Sequence, residues 1–304
     1  MLNQEISERP PLTAGGADPP TSVAPGYLTM DRLGEKDEIV LAQATSQFLR
    51  CLCLQKSINY VLSDAEDSEI HGWIHEESSL VGRTLSACFS GFRATKYVQH
   101  SGPPATAIVS DNSSFGCQST VASEGLSKED RRSNVVATHE KMVTCPDCLK
   151  VLNFAIPVCN SFPLPYLETK DANGRVLGRT QYVCDMCCAV PKFNVNDAAG
   201  TTKYYIRPKT CCCGTCVAFK CGGGGKCRIP YIIRDPKTKE PLSMTNGQDQ
   251  ATITNLWNGL KNECCTNKES YKLSFPQGAT AEEKTVLMGS AILLDFTQFE
   301  QTSE

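Results

Sequence analysis

No run of eighteen or more apolar residues occurs in this 304-residue chain, so nothing in it reads as a membrane-spanning helix. The longest apolar stretch, "VLMGSAILLDF" from Val286 to Phe296, is interrupted by Asp295 and suits a buried core helix. An excess of positive charge is also missing. Thirty Lys and Arg against 33 Asp and Glu leave a net charge of −3, which argues against attraction of the whole chain to nucleic acid. The opening "MLNQEISERPPLTAGGADPP" has no apolar core, and its Glu5, Glu8 and Asp18 are unlike a mitochondrial transit peptide. A cytosolic start is expected, and its reducing surroundings argue against a disulfide framework. The sequon Asn112-Ser113-Ser114 then has no glycosylation to receive.

What the chain has in abundance is cysteine, 18 in all. Six of them fall in "TCCCGTCVAFKCGGGGKC", Thr210 to Cys227. Hydrophobic content of 40% with 21% charged residues is that of a globular protein with a substantial core.

Residues 1–26, rich in Pro, Gly, Ala and Thr, read as a flexible tail. Residues 27–304 read as a single mostly β domain. "PKFNVNDAAGTTKYYI" alternates Phe193 and Val195 with Asn194 and Asn196, turns at Asp197 to Gly200, and resumes at Tyr204. "INYVLSDAEDSEIHGWI" has the same layout about Asp64, which predicts that 58–74 and 191–206 hold matching places in two pseudo-repeat halves. Further hairpins are expected around Asp111, Asp171 and Asp235, where Asp, Asn, Gly and Pro favour tight turns. An antiparallel sheet of this size protects its edges by closing on itself.

Two segments read as helix. "ITNLWNGL" places Ile253, Leu256, Trp257 and Leu260 at helical spacing. The second helix, about 281–300, opens with a capping box, Thr280 with Glu283, on an acidic first turn. From Val286 it is apolar nearly all round and needs a surrounding wall. A closed antiparallel β-barrel of about twelve strands around this hydrophobic C-terminal helix meets both needs.

Three chemistries suit the cysteines. Cys145-x-x-Cys148, Cys184-x-x-Cys187 and Cys213-x-x-Cys216 have the spacing with which two thiolates meet one zinc, and Cys145, Cys148, Cys184 and Cys187 together would make a four-cysteine zinc site. Adjacent cysteines weigh against it, because neighbours on a strand point to opposite faces. Charge favours fatty acylation. Between Asp197 and Asp235 there is no carboxylate, while Lys203, Arg207, Lys209, Lys220, Lys226, Arg228 and Arg234 all fall there. Basic residues are drawn to an anionic leaflet, and one acyl chain plus such residues makes a stable anchor. A solvated basic loop with buried thiols remains the plain alternative.

Other motifs carry less. His71 and His75 share a strand face beside Glu76, which suits either a metal or a polar strand end. "CGGGGKC" lacks the spacing of a phosphate loop and reads as a mobile loop. Asp64, Glu66, Asp67 and Glu69 read as a solvated turn. No hydrolytic or redox active site is visible.

"APGYLTMDRL", "SGPPATAIVSDNS", "CCAVPKFNVND", "ATITNLWNG" and above all "VLMGSAILLDFTQFE" follow one another as in the phospholipid scramblase family, which the chain resembles from about Ala24 to Glu300. The resemblance runs through Pro191, Lys192, Phe193, Trp257, Gly259, Gly289, Leu294, Asp295, Phe296 and Glu300; Leu287 and Ile292 complete the apolar helix. It is strong in the last third and thin between Ser78 and Ser133. The resemblance implies a Tubby-like twelve-stranded barrel, S-acylated cysteines, and calcium-dependent movement of phospholipids between leaflets at the cytosolic face of a membrane. The family's Cys-Cys-Pro-Cys-Cys cluster is absent, so Cys184, Cys187, Cys188, Cys211, Cys212, Cys213 and Cys216 are the expected lipidation positions. The family's acidic calcium loop is replaced by Asn267, Lys268 and Glu269, where one carboxylate beside an ammonium is a poor site for a hard cation. No cofactor is therefore required. The expected partner is an anionic phospholipid membrane. The thinned cysteine cluster and altered calcium loop also suit a second reading, a non-catalytic scaffold subunit assembled with other proteins through the N-terminal tail.

Overall fold

The computed structural model describes residues 27–44, 59–64, 70–77, 95–102, 109–110, 120–121, 132, 134–141, 164–183, 190–211, 216–217, 220–221, 227–245, 247, 249–256 and 270–298. A short helix α1 (Met30–Glu35) precedes twelve strands: β1 (Glu38–Ala44), β2 (Asn59–Ser63), β3 (Ile70–Glu77), β4 (Thr95–Ser101), β5 (Val135–Lys141), β6 (Tyr166–Asp171), β7 (Val176–Val183), β8 (Lys192–Asp197), β9 (Thr202–Pro208), β10 (Cys227–Arg234), β11 (Thr252–Leu256) and β12 (Ser270–Ser274). Helix α2 (Ala281–Gln298) follows.

Each strand pairs antiparallel with the next, and β12 returns to β1 with Glu38 opposite Ser274. The result is a closed twelve-stranded barrel, as the edge argument expected. The hairpins β2–β3 and β8–β9 stand six strands apart, half of that circuit.

Period-two alternation sets each strand's inner face. On β8, Phe193 and Val195 are buried inward, and Lys192, Asn194 and Asn196 face out. Two turns show why the sequence is legible there. In Asp171-Ala-Asn-Gly174-Arg175 and Asp197-Ala-Ala-Gly200-Thr201, the aspartate carboxylate accepts the backbone N–H of Arg175 (2.9 Å) or Thr201 (2.8 Å). Gly174 and Gly200 take φ of +83° and +84°, which a Cβ would strain.

The barrel is filled by α2, whose residues from Lys284 to Phe296 are all buried. The capping box closes as expected: Glu283 N–H donates to Thr280 Oγ1 (3.2 Å) and Thr280 N–H to Glu283 Oε2 (3.0 Å). Burial of side chains such as Leu287, Ile292, Leu294 and Phe296 stabilises by about 1.5–3 kcal/mol each. Polar contacts fix the helix's rotation and depth. Asp295 accepts the hydroxyls of Tyr60 (2.5 Å) and Tyr271 (2.8 Å), and Ser290 Oγ lies 2.7 Å from Thr180 Oγ1. Helix α1 covers the N-terminal end of α2, where Lys284 Nζ donates to the carbonyls of Gly34 (2.7 Å) and Lys36 (2.6 Å).

Two expectations are corrected. Residues 252–256 form β11 rather than a helix. Thr252, Ile253 and Thr254 are strand-prone, and ladders to β10 and β12 on both sides outweigh the helical spacing. Val109–Ser110 pairs antiparallel with Thr120–Val121 as a separate ribbon, and Asp111 lies outside the described residues. Asp64 is not merely solvated. Its carboxylate pairs with Lys36 Nζ and lies 3.4 Å from His71 Nε2, with its side chain only 19% exposed. The tail 1–26, Glu66, Asp67, Glu69, and Trp257 to Leu260 lie outside the described residues, as does anything beyond Gln298.

Candidate functional site: a basic face on strands β8 to β10

Strand β9 buries Tyr204, Ile206 and Pro208 inward, so Lys203, Tyr205 and Arg207 form a row on its outer face, followed just past the strand by exposed Lys209. On β10, Arg234 stands opposite Tyr205 and Ile232 opposite Arg207. The turn after β10 then carries Lys239 back over the same place. Lys239 Nζ lies 3.8 Å from the Tyr205 ring centroid and the Arg207 guanidinium 4.8 Å. Tyr205 thus holds two cations against its ring.

Arg207 is anchored as well as charged. It donates to the carbonyls of Phe193 and Ile206 and to Asn194 Oδ1 (2.9 Å). Arg234 donates to the Lys239 carbonyl (3.0 Å), which ties the turn to the strand. Asp235 shapes that turn by accepting the N–H groups of Lys237 and Thr238 (both 2.8 Å), and these bonds hold its carboxyl below the usual range. Lys203 has a carboxylate, Asp197, only at 3.9 Å, and Lys209 is exposed. Four of the seven basic residues singled out from the sequence, Lys203, Arg207, Lys209 and Arg234, therefore stand on one surface.

Lys220 and Arg228 are direct partners where a short strand, Lys220–Cys221, pairs with the start of β10; their side chains lie outside the described residues. Cys211 is the register partner of Cys216 in a ribbon of Thr210–Cys211 and Cys216–Val217; their side chains lie outside the described residues. Lys226, Cys212, Cys213, Cys184, Cys187, Cys188, Cys145, Cys148, Asn267, Lys268 and Glu269 lie outside the described residues. Of the helix positions, Leu287, Gly289, Ile292, Leu294, Asp295 and Phe296 all sit inside the barrel.

Sequence reasoning missed the contribution of Tyr205 and Lys239. The alternation Lys-x-Tyr-x-Arg-x-Lys was readable on β9, but the return of Lys239 depends on the register of β9 with β10. It also missed the burial of the histidines. His71 falls at a register shift of β3 against β2, His75 Nδ1 lies 3.0 Å from His100 Nε2, and Trp73 stacks on His100 at 4.1 Å. Among the described residues no three His, Cys, Asp or Glu side chains are placed to hold a metal ion. No helix among them is long and apolar enough to cross a membrane.

Comparison with protein-family models matches residues 130–301 to Scramblase. The matched span begins just before β5 and takes in the remaining strands and α2. No curated protein and no solved structure matches the chain. The match covers more than half of the 304 residues, and the barrel around an apolar C-terminal helix agrees with it. The chain belongs to the scramblase family.

Proposed function

We propose that this barrel associates with the cytosolic face of a membrane through the outer face of β8–β10, and moves phospholipids between leaflets. The row Lys203, Tyr205, Arg207, Lys209, joined by Arg234 and Lys239, carries the reading. Anionic head groups are attracted by the cations, and an aromatic ring with a polar tip suits the boundary between head groups and acyl chains. Acyl chains on Cys184, Cys187, Cys188, Cys211, Cys212, Cys213 or Cys216 would supply the second signal that stable anchoring needs. Release of mass by neutral hydroxylamine is their readout.

The donor set at Asn267, Lys268 and Glu269 does not fit calcium, since one carboxylate beside an ammonium cannot furnish several oxygen ligands. Transport is therefore expected to be independent of calcium at that loop.

Vesicles containing phosphatidylserine test both halves. Each basic residue near the surface contributes on the order of 1 kcal/mol, so Lys203→Ala with Lys209→Ala should weaken partitioning about 30-fold, and raised salt should weaken the wild type. Equal partitioning of variant and wild type would remove this face from the contact. In the same vesicles a fluorescent phospholipid should cross faster than in empty ones, at a rate unchanged by calcium or chelator. A rate equal to empty vesicles would remove transport and leave the membrane contact standing.

A further inference from the structure

Two antiparallel pairings set cysteines directly opposite one another: Cys211 with Cys216, and Cys221 with Cys227. Both pairs lie in the one stretch from the end of β9 to the first residue of β10 that holds the densest cysteines of the chain. Directly opposed residues of an antiparallel ladder have Cα atoms about 4.5–5.5 Å apart. That lies within the range of about 4.4–6.8 Å found across disulfides. The Cβ atoms, about 4.5–5.5 Å apart in such a pair, need approach by only about 1 Å. Cys211, Cys216 and Cys221 each lie on a strand only two residues long, which can make that adjustment.

We propose that Cys211–Cys216 and Cys221–Cys227 are two reversible dithiol–disulfide pairs, oxidised by low-molecular-weight disulfides of the glutathione class. In each pair a thiolate attacks the small disulfide and releases one small thiol. The partner cysteine then attacks the mixed disulfide and releases the second. The protein gives up two protons and two electrons, and the oxidant becomes two thiols.

Local charge supports the first step. Lys209, Lys220, Lys226 and Arg228 flank the pairs with no carboxylate between Asp197 and Asp235, which favours thiolate over thiol. A reversible pair also agrees with reducing surroundings, where disulfides are transient rather than structural. The pairing stands independently of the membrane reading, although closure of Cys211–Cys216 withdraws two acylation positions.

The test equilibrates the full chain in glutathione buffers of rising oxidised fraction, blocks free thiols by alkylation and digests with trypsin. Closed Cys221–Cys227 joins two otherwise separate peptides, residues 221–226 and 227–228. Closed Cys211–Cys216 leaves the peptide 210–220 two alkyl groups short. Both signals should appear together with oxidation and vanish with dithiothreitol. Cys227→Ser should abolish only the first and Cys211→Ser only the second. Full alkylation of all four cysteines in the most oxidising buffer would overturn the proposal. So would scrambled partners, with Cys212 or Cys213 joined to Cys216 as often as Cys211, or bound zinc in the native mass of the wild type.

Discussion

Replacing Gly289 by alanine is expected to destabilise the protein by about 1–2 kcal/mol, although alanine is the better helix former by about 1 kcal/mol. The reason is space. A Cβ at this position would lie 2.7 Å from Thr169 Oγ1, 2.9 Å from His139 Nδ1 and 2.9 Å from Leu167 Cδ2. None of the three is the free end of a surface side chain. Each is fully buried on β5 or β6, and Thr169 and His139 are bonded to one another at 3.0 Å. Room can be made only by moving α2 away from the wall or by parting that bond. The first is opposed by Asp295 between Tyr60 and Tyr271 and by Ser290 against Thr180. Overpacking of a tight core costs about 1–3 kcal/mol and sometimes more, and here it must outweigh the gain in helix propensity. Urea unfolding of wild type and Gly289→Ala is the measurement, read as a lower midpoint at unchanged slope. A variant as stable as the wild type would mean that the helix does not touch β5 and β6 so closely.

The same crowded contact explains what was legible beforehand. Gly289 and Asp295 could be picked out as residues of an apolar helix, because the capping box and the run from Val286 announce that helix locally. The turns at Asp171 and Asp197 were legible for the same reason: the aspartate and the glycine three residues later satisfy the turn by themselves. Nothing local reveals that His139, Thr169 and Gln99 would bond to one another beside α2, since they come from three strands brought together only by the sheet's long-range pairing. Ile253 failed in the opposite direction. Its neighbours at helical spacing suggested a helix, and two long-range ladders made it a strand. On the outer face, the basic row of β9 was readable as alternation along one strand, whereas the Lys239 contact with Tyr205 was not. The cysteines were visible as a cluster, but their opposition in pairs exists only in the register.

Acidification should destabilise this protein through His139. The imidazole is fully buried inside the barrel, and burial pushes its pKa down from 6.5 to about 3. Its neutral form is satisfied where it stands. Gln99 Oε1, 3.2 Å away, accepts from Nε2–H, which leaves Nδ1 to accept the Thr169 hydroxyl. A second proton would displace that bond and leave a charge without solvent. The sign follows from comparing the two states. Above about pH 6.5 the histidine is neutral whether folded or unfolded, so it contributes no pH dependence there. Below that value the unfolded chain takes up a proton that the folded chain refuses until about pH 3. Stability therefore falls by about 1.4 kcal/mol per pH unit, or about 2 kcal/mol between neutrality and pH 5. Asp171 and Asp235, whose carboxyls are held low by backbone N–H groups, add their own loss only at more acid pH. The chain has three further histidines, His71, His75 and His100, so the wild-type slope alone does not isolate His139. His139→Gln does, because the amide keeps a donor and an acceptor and cannot take the proton. Urea midpoints from pH 7 to pH 4.5 should fall less steeply for His139→Gln, by about one proton's worth of slope, whatever the variant loses at neutral pH. Parallel slopes would show that the imidazole inside the barrel is charged, with water reaching the space between α2 and the wall.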